Sequence, residues 1–127
     1  MGVETVNPEL AKSIHKNITF DQHKKAFAAL REAGIFTVAS FIVGLPGETK
    51  KMRSSYLDMA VDIGADAARF LPFQPLPGTP MESGTGEPEP LCTEYAVRIT
   101  REFERHIAIL DRLLEAAEKP DVRGMLA

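Results

Sequence analysis

The chain has 127 residues, 44% of them hydrophobic and 26% charged, which describes one ordinary globular domain with enough apolar matter for a core. A formal net charge of −3 supplies no basic face for a nucleic-acid backbone. No apolar run approaches the roughly 20 residues that span a bilayer, and the opening segment, with Glu4 and Glu9, is not a signal peptide, so the expected compartment is the cytoplasm. The single cysteine, Cys92, excludes an internal disulfide and any multi-cysteine metal site made from this chain alone.

The first residues, Met1 to Val6, are too few for a whole strand and read as the end of one, which suggests that something upstream is missing. Asn7-Pro8-Glu9 is a helix start: Asn7 as N-cap, proline at the first position, an acid in the first turn. Leu10 and Ile14 give that short helix its apolar stripe, and it stops near Lys16-Asn17. Thr19 with Gln22 three residues on is a capping box for a second helix, whose apolar face is Phe20, Phe27 and Leu30 and whose end is Gly34.

Ile35 to Val43 is almost wholly apolar and predicts a strand covered on both faces. It runs into Gly44-Leu45-Pro46-Gly47-Glu48, a glycine–proline turn, and then into a third helix capped by Thr49, with Met52, Tyr56, Met59, Ala60 and Ile63 on one face. Gly64 ends that helix, and a strand over Ala67 to Phe73 follows. Helix–strand alternation, with strand starts roughly 30 residues apart, is the pattern of βαβ units and parallel pairing.

Six of the nine prolines lie between Pro72 and Pro90, a density that excludes helix and interior strand there. The division expected is an α/β unit over residues 1–81, an acidic proline- and glycine-rich linker over 82–92, and an amphipathic helix over 93–120 capped by Thr93. Ile99, Phe103, His106, Leu110, Leu113 and Ala117 alternate in steps of four and three along that helix. The seam predicts packing on the helix's own domain, with dimerisation through it as the alternative.

No ordinary catalytic set is present. His15, His23 and His106 fall on separate predicted elements without metal-ligand spacing, and Ser54-Ser55 lacks a nucleophile-elbow pattern. The Gly44 turn is not a P-loop, and Glu48 puts a negative charge where a phosphate would sit; a carboxylate there suits capping amides or meeting hydroxyl or ammonium groups. Three stretches meet at the C-terminal edge of a parallel sheet: Glu4, the Gly44 turn, and Phe70 to Gln74. One acid, apolar walls such as Ile42 and free backbone groups would suit a flat heterocycle with a polar tail, an adenosyl group for example.

Four strings in order carry a resemblance: Gly2-Val3-Glu4-Thr5, Leu30-Arg31-Glu32-Ala33-Gly34-Ile35, Phe41 to Thr49, and Pro75-Leu76-Pro77-Gly78-Thr79-Pro80. Together they resemble the second half of a radical S-adenosylmethionine (radical SAM) core, closest in flavour to the cobalamin-binding subgroup that includes anaerobic magnesium-protoporphyrin monomethyl ester cyclases and several methyltransferases. The resemblance implies an α/β fold, half of an incomplete (β/α)6 TIM-like barrel of parallel strands followed by the long helix. It implies that Glu4 and Thr5 contact the amino and ribose groups of S-adenosylmethionine, that Ile42 and the Gly44 backbone pack on adenine, and that Phe70 to Phe73 present backbone to the adenine edge. Ser40 stands where the family's pattern often has glycine.

The family's Cys-x-x-x-Cys-x-x-Cys, whose thiolates hold the 4Fe-4S cluster that yields the 5′-deoxyadenosyl radical, does not occur in these 127 residues. The resemblance therefore implies a fragment that is inactive alone and needs an upstream barrel half or a second copy. It also implies a small-molecule substrate and possible use of cobalamin by the full-length enzyme.

Overall fold

A computed structural model describes residues 1–79 and 90–118. Three strands, β1 (Gly2–Glu4), β2 (Val38–Val43) and β3 (Ala67–Pro72), form one sheet in the order β1-β2-β3, and both pairings are parallel. Helices α1 (Pro8–Ser13) and α2 (Phe20–Glu32) join β1 to β2, α3 (Lys50–Ser54) and α4 (Tyr56–Asp62) join β2 to β3, and α5 (Pro90–Glu118) follows. This is the expected architecture: three parallel strands of a barrel-type sheet with helices between them and a long last helix.

The caps predicted for the first three helices are in place. Asn7 accepts from the N–H groups of Glu9 and Leu10, and Thr19 and Gln22 form the reciprocal capping box. The start of β2 and the course of the third helix differ from the sequence reading. β2 starts at Val38, because Gly34 in a left-handed conformation turns the end of α2 and the Ile35 N–H is spent on Leu30 O (3.0 Å), leaving Ile35 and Phe36 exposed. The third helix breaks at Ser55: the hydroxyls of Ser54 and Ser55 donate to Lys51 O and Met52 O (2.8 and 2.7 Å), local bonds that compete with the helical ladder.

Among the described residues the sheet is covered on one face, not two. Val3, Ala39, Phe41, Val43, Ala68 and Phe70 are buried against Phe27 of α2, Tyr56 and Ala60 of α4, and Ile99 and Phe103 of α5. Phe41 stacks on Phe70 with ring centroids 5.1 Å apart and sits 6.0 Å from the Tyr56 ring. The alternate residues of the strands point the other way: Ser40 and Ile42 are half-buried, while Arg69 and Leu71 are exposed. A continuous apolar run concealed this alternation, because Ile42 and Leu71 are as hydrophobic as their buried neighbours.

The last helix starts at Pro90, so Leu91 and Cys92 lie inside it rather than in a linker, and Thr93 is not its cap; residues 82–89 of that linker lie outside the described residues. Cys92, Ala96, Ile99 and Phe103 bury one stripe of α5 in the common core, and the Tyr95 hydroxyl donates to Arg53 O (2.6 Å). The seam is packed only over this first half. Beyond it Ile109, Leu110, Leu113 and Leu114 are exposed. Among the described residues no helix is long and apolar enough to cross a membrane.

Candidate functional site

At the C-terminal edge of the sheet the chain makes two non-standard turns side by side. Glu4 ends β1 with φ +67°, and the Thr5 N–H donates back to Val3 O at 2.9 Å, closing a three-residue turn around it. A non-glycine residue in that conformation costs about 1–3 kcal/mol, which surrounding structure must hold in place. The turn lays the Glu4 carboxylate over Gly2, where any side chain would collide with it, and beside the Lys16 ammonium at 3.5 Å. Lys16 also donates to Gly2 O at 2.6 Å. The second turn begins at Gly44, φ +89°, directly after β2.

Pairing sets the rest of the uncovered face. Gly2, Ser40 and Arg69 form one row across the three strands, and Ile42 pairs with Leu71 in the next. Above them, Phe73, Gln74, Leu76 and Thr79 of the segment after β3 meet Ser13, Ile14 and His15 at the end of α1 around a cavity of about 300 Å³. The Phe73 N–H is used by Val43 O at 2.7 Å. A larger groove, about 660 Å³, lies on the outer flank between α3 and α5 and is lined by none of the strand-end residues.

Glu48 faces inward. Its side chain is 1% exposed and accepts from the Gly44 N–H (2.7 Å), Arg53 Nε (2.9 Å) and the Tyr56 hydroxyl (2.6 Å). Because Tyr56 has one proton and gives it to Glu48, the longer 3.4 Å contact with Thr5 must run from the Thr5 hydroxyl to the Tyr56 oxygen. Burial, and then the Glu48 carboxylate, push the Tyr56 phenol far above its ordinary value, so it stays a donor. With its N–H committed to Glu48, Gly44 can offer a ligand only its carbonyl oxygen and Cα.

The structure thus brings Glu4, Ser40, Ile42, Gly44 and Phe73 to one uncovered face and its rim. Thr5 and Phe70 point elsewhere: the Thr5 hydroxyl is buried in the Tyr56 network, and the Phe70 ring is in the core. Sequence reasoning missed Lys16 and Arg69 on the uncovered side and included Leu71 only within the Phe70 to Gln74 stretch. The strict alternation from Ser40 and Ile42 could have found Arg69 and Leu71, whereas Lys16 reaches the face only through the fold. One cysteine in the chain, Cys92, buried beneath Gly44, and no cluster of His, Cys, Asp or Glu able to hold a metal among the described residues do not fit an iron–sulfur cluster.

A parallel sheet with its chemistry-bearing residues at the C-terminal strand ends defines the class, a unit of a (β/α) barrel. Coproporphyrinogen III oxidase (HemN) from Escherichia coli, described as a radical SAM enzyme, superposes with a TM-score of 0.67 at 19% identity, covering 84% of this chain and 26% of that one. Residues 1–60 match the Radical SAM superfamily. An uncharacterized protein of Methanopyrus kandleri is 30% identical over 97% of this chain and 25% of its own length. The anaerobic magnesium-protoporphyrin IX monomethyl ester cyclase of Cereibacter sphaeroides is 38% identical over 64% of this chain and 13% of its own length. The chain carries part of a radical SAM core, its match to that superfamily lying within residues 1–60. It spans about a quarter or less of the length of these relatives.

Proposed function

We propose that this chain supplies the S-adenosylmethionine-binding half of a radical SAM enzyme, with the cluster ligands contributed by sequence outside these 127 residues. The observation that carries the reading is the strained Glu4 turn beside the Gly44 turn at the sheet's C-terminal edge. Glu4 would receive the amino group of the methionyl moiety, Ile42 would cover one face of the adenine, and the Gly44 carbonyl and the Phe73 segment would meet its edge. Lys16, held beside Glu4, would balance the ligand's carboxylate. The chain's own part is to bind and orient the ligand. The small-molecule substrate would enter from the uncovered side, and cobalamin, where the full-length enzyme uses it, would be held by other segments.

The unit of organisation would be residues 1–81 as the barrel half, with α5 as its closing helix and the uncovered face completed by an upstream barrel half or a second copy. The cytoplasm is the compartment in which such a protein would work. A second reading, a non-catalytic module pairing through α5, is favoured by one observation, the exposed Ile109, Leu110, Leu113 and Leu114.

The test is calorimetric titration of the 127-residue chain with S-adenosylhomocysteine, a stable analogue of the ligand. Binding that weakens by about tenfold or more in Glu4→Ala, with the fold retained, is the expected result. No binding to the wild-type chain, or no effect of Glu4→Ala, overturns the assignment. Genomic sequence upstream of codon 1 is the companion check: an in-frame Cys-x-x-x-Cys-x-x-Cys is expected, and a true start codon without one removes radical generation from the reading.

A further inference from the structure

Gly44 and Thr5 follow different strands, yet one buried carboxylate links them. Glu48 Oε2 accepts from the Gly44 N–H at 2.7 Å, its Oε1 accepts from the Tyr56 hydroxyl at 2.6 Å, and Tyr56 in turn accepts from Thr5, the residue after Glu4. The Thr5 hydroxyl oxygen also accepts from the Asn7 N–H at 3.2 Å, which carries the connection to the start of α1.

Local needs do not explain this side chain. The helix that follows has its own cap, Thr49 with Met52, so Glu48 is not required to start it. A fully desolvated carboxylate is costly, and an apolar residue of the same size often serves stability as well or better, whereas a hydrogen-bonded one fixes distances and angles. Glu48 does so where the strained Glu4 turn and the Gly44 turn must stand in a fixed relation to each other.

We propose that Glu48 is a positioning residue: through Tyr56 it locks the Glu4–Thr5 turn to the Gly44 turn, so that the two halves of an adenosyl site are presented together. The inference rests on the reading that these turns bind S-adenosylmethionine. Glu48 touches no ligand itself; it acts through Gly44 on one side and through Tyr56 and Thr5 on the other. Arg53 Nε, at 2.9 Å, supplies the counter-charge to this buried side chain.

The experiment measures S-adenosylhomocysteine affinity and melting temperature for the full 127-residue chain and for Glu48→Gln and Tyr56→Phe. Tyr56→Phe keeps the ring that packs on Phe41 and removes only the hydroxyl link. Each variant is expected to lose roughly tenfold to a hundredfold in affinity at a temperature where it remains folded, and the double variant no more than the worse single one, because both cut one path. Phe27→Leu is the control: it lowers melting temperature through the core and leaves affinity unchanged. Affinity within twofold of wild type in folded Tyr56→Phe, or losses that track the unfolded fraction as in the control, overturns the inference while Glu4→Ala still reports on the site. Should Tyr56→Phe not fold, Thr5→Val cuts the same link from the other side and is judged by the same criterion. A wild-type chain that binds no adenosyl compound refutes both readings.

Discussion

Gly44→Ala tests the close approach of β2 to α5. At φ +89° an added Cβ would lie 2.6 Å from Cys92 Sγ and 3.2 Å from Cys92 Cβ. The left-handed conformation alone costs an L-residue about 1–2 kcal/mol, and forcing a methyl into a filled core about 1–3 more. The expected loss is therefore about 2–5 kcal/mol, a large part of the roughly 5–15 kcal/mol that holds such a domain together. Cys92→Ala removes the sulfur, costs about 1 kcal/mol by itself, and opens the space the new methyl needs. The double variant should then be more stable than the sum of the two single losses by about 1–3 kcal/mol, since only the backbone strain and the Cβ contact remain. Urea unfolding followed by circular dichroism, with linear extrapolation, gives all four free energies. A cost below about 1 kcal/mol for Gly44→Ala, or a coupling below about 0.5 kcal/mol, would mean that α5 does not press on this turn.

Three other predictions follow from burial and hydrogen bonding. His23 is buried, its Nε2 has no hydrogen-bond partner among the described residues, and burial, then Lys16, lower its pKa from 6.5, against a smaller raising effect of Glu4. The unfolded chain therefore takes up the proton first, so this contribution to stability is complete above about pH 6.5 and declines as pH falls through that value. Chemical unfolding of His23→Leu should show a flatter profile between about pH 7.5 and 5.5; an unchanged slope would exclude His23 as its source. Asp66, whose carboxyl is lowered by the Thr37 N–H and hydroxyl bonds, acts in a separate window, its stabilisation being lost as pH falls below about 4. Along α5, Phe103→Ala should cost about 3–5 kcal/mol and Leu110→Ala less than about 0.5, because Phe103 is 1% exposed and Leu110 40%. If sedimentation instead shows a dimer that Leu110→Glu dissociates, the far half of the helix is an interface, not a solvent-facing end.

Much of the fold was readable because its signals are local. Asn7, Thr19 and Thr49 cap helices through side-chain bonds two or three residues away, and Gly34 ends one through its own φ, so proximity in sequence is proximity in space. The candidate site was readable in part for the same reason: Glu4 and Gly44 sit at strand ends that the βα alternation announces. Boundaries failed where a non-local or competing bond decided the outcome, as with the serine hydroxyls that break the third helix at Ser55.

Sequence by itself determined the parallel α/β order and the starts of the first three helices, since capping and periodicity are properties of neighbouring residues, and it carried the family resemblance. Tertiary structure alone decided which face of each strand is covered, that only the first half of α5 is packed, and that Glu48 and Thr5 turn inward while Lys16 reaches Glu4. These depend on pairs such as Thr5 and Tyr56 or Gly44 and Cys92, whose separation along the chain carries no record of the distance between them once the sheet has formed.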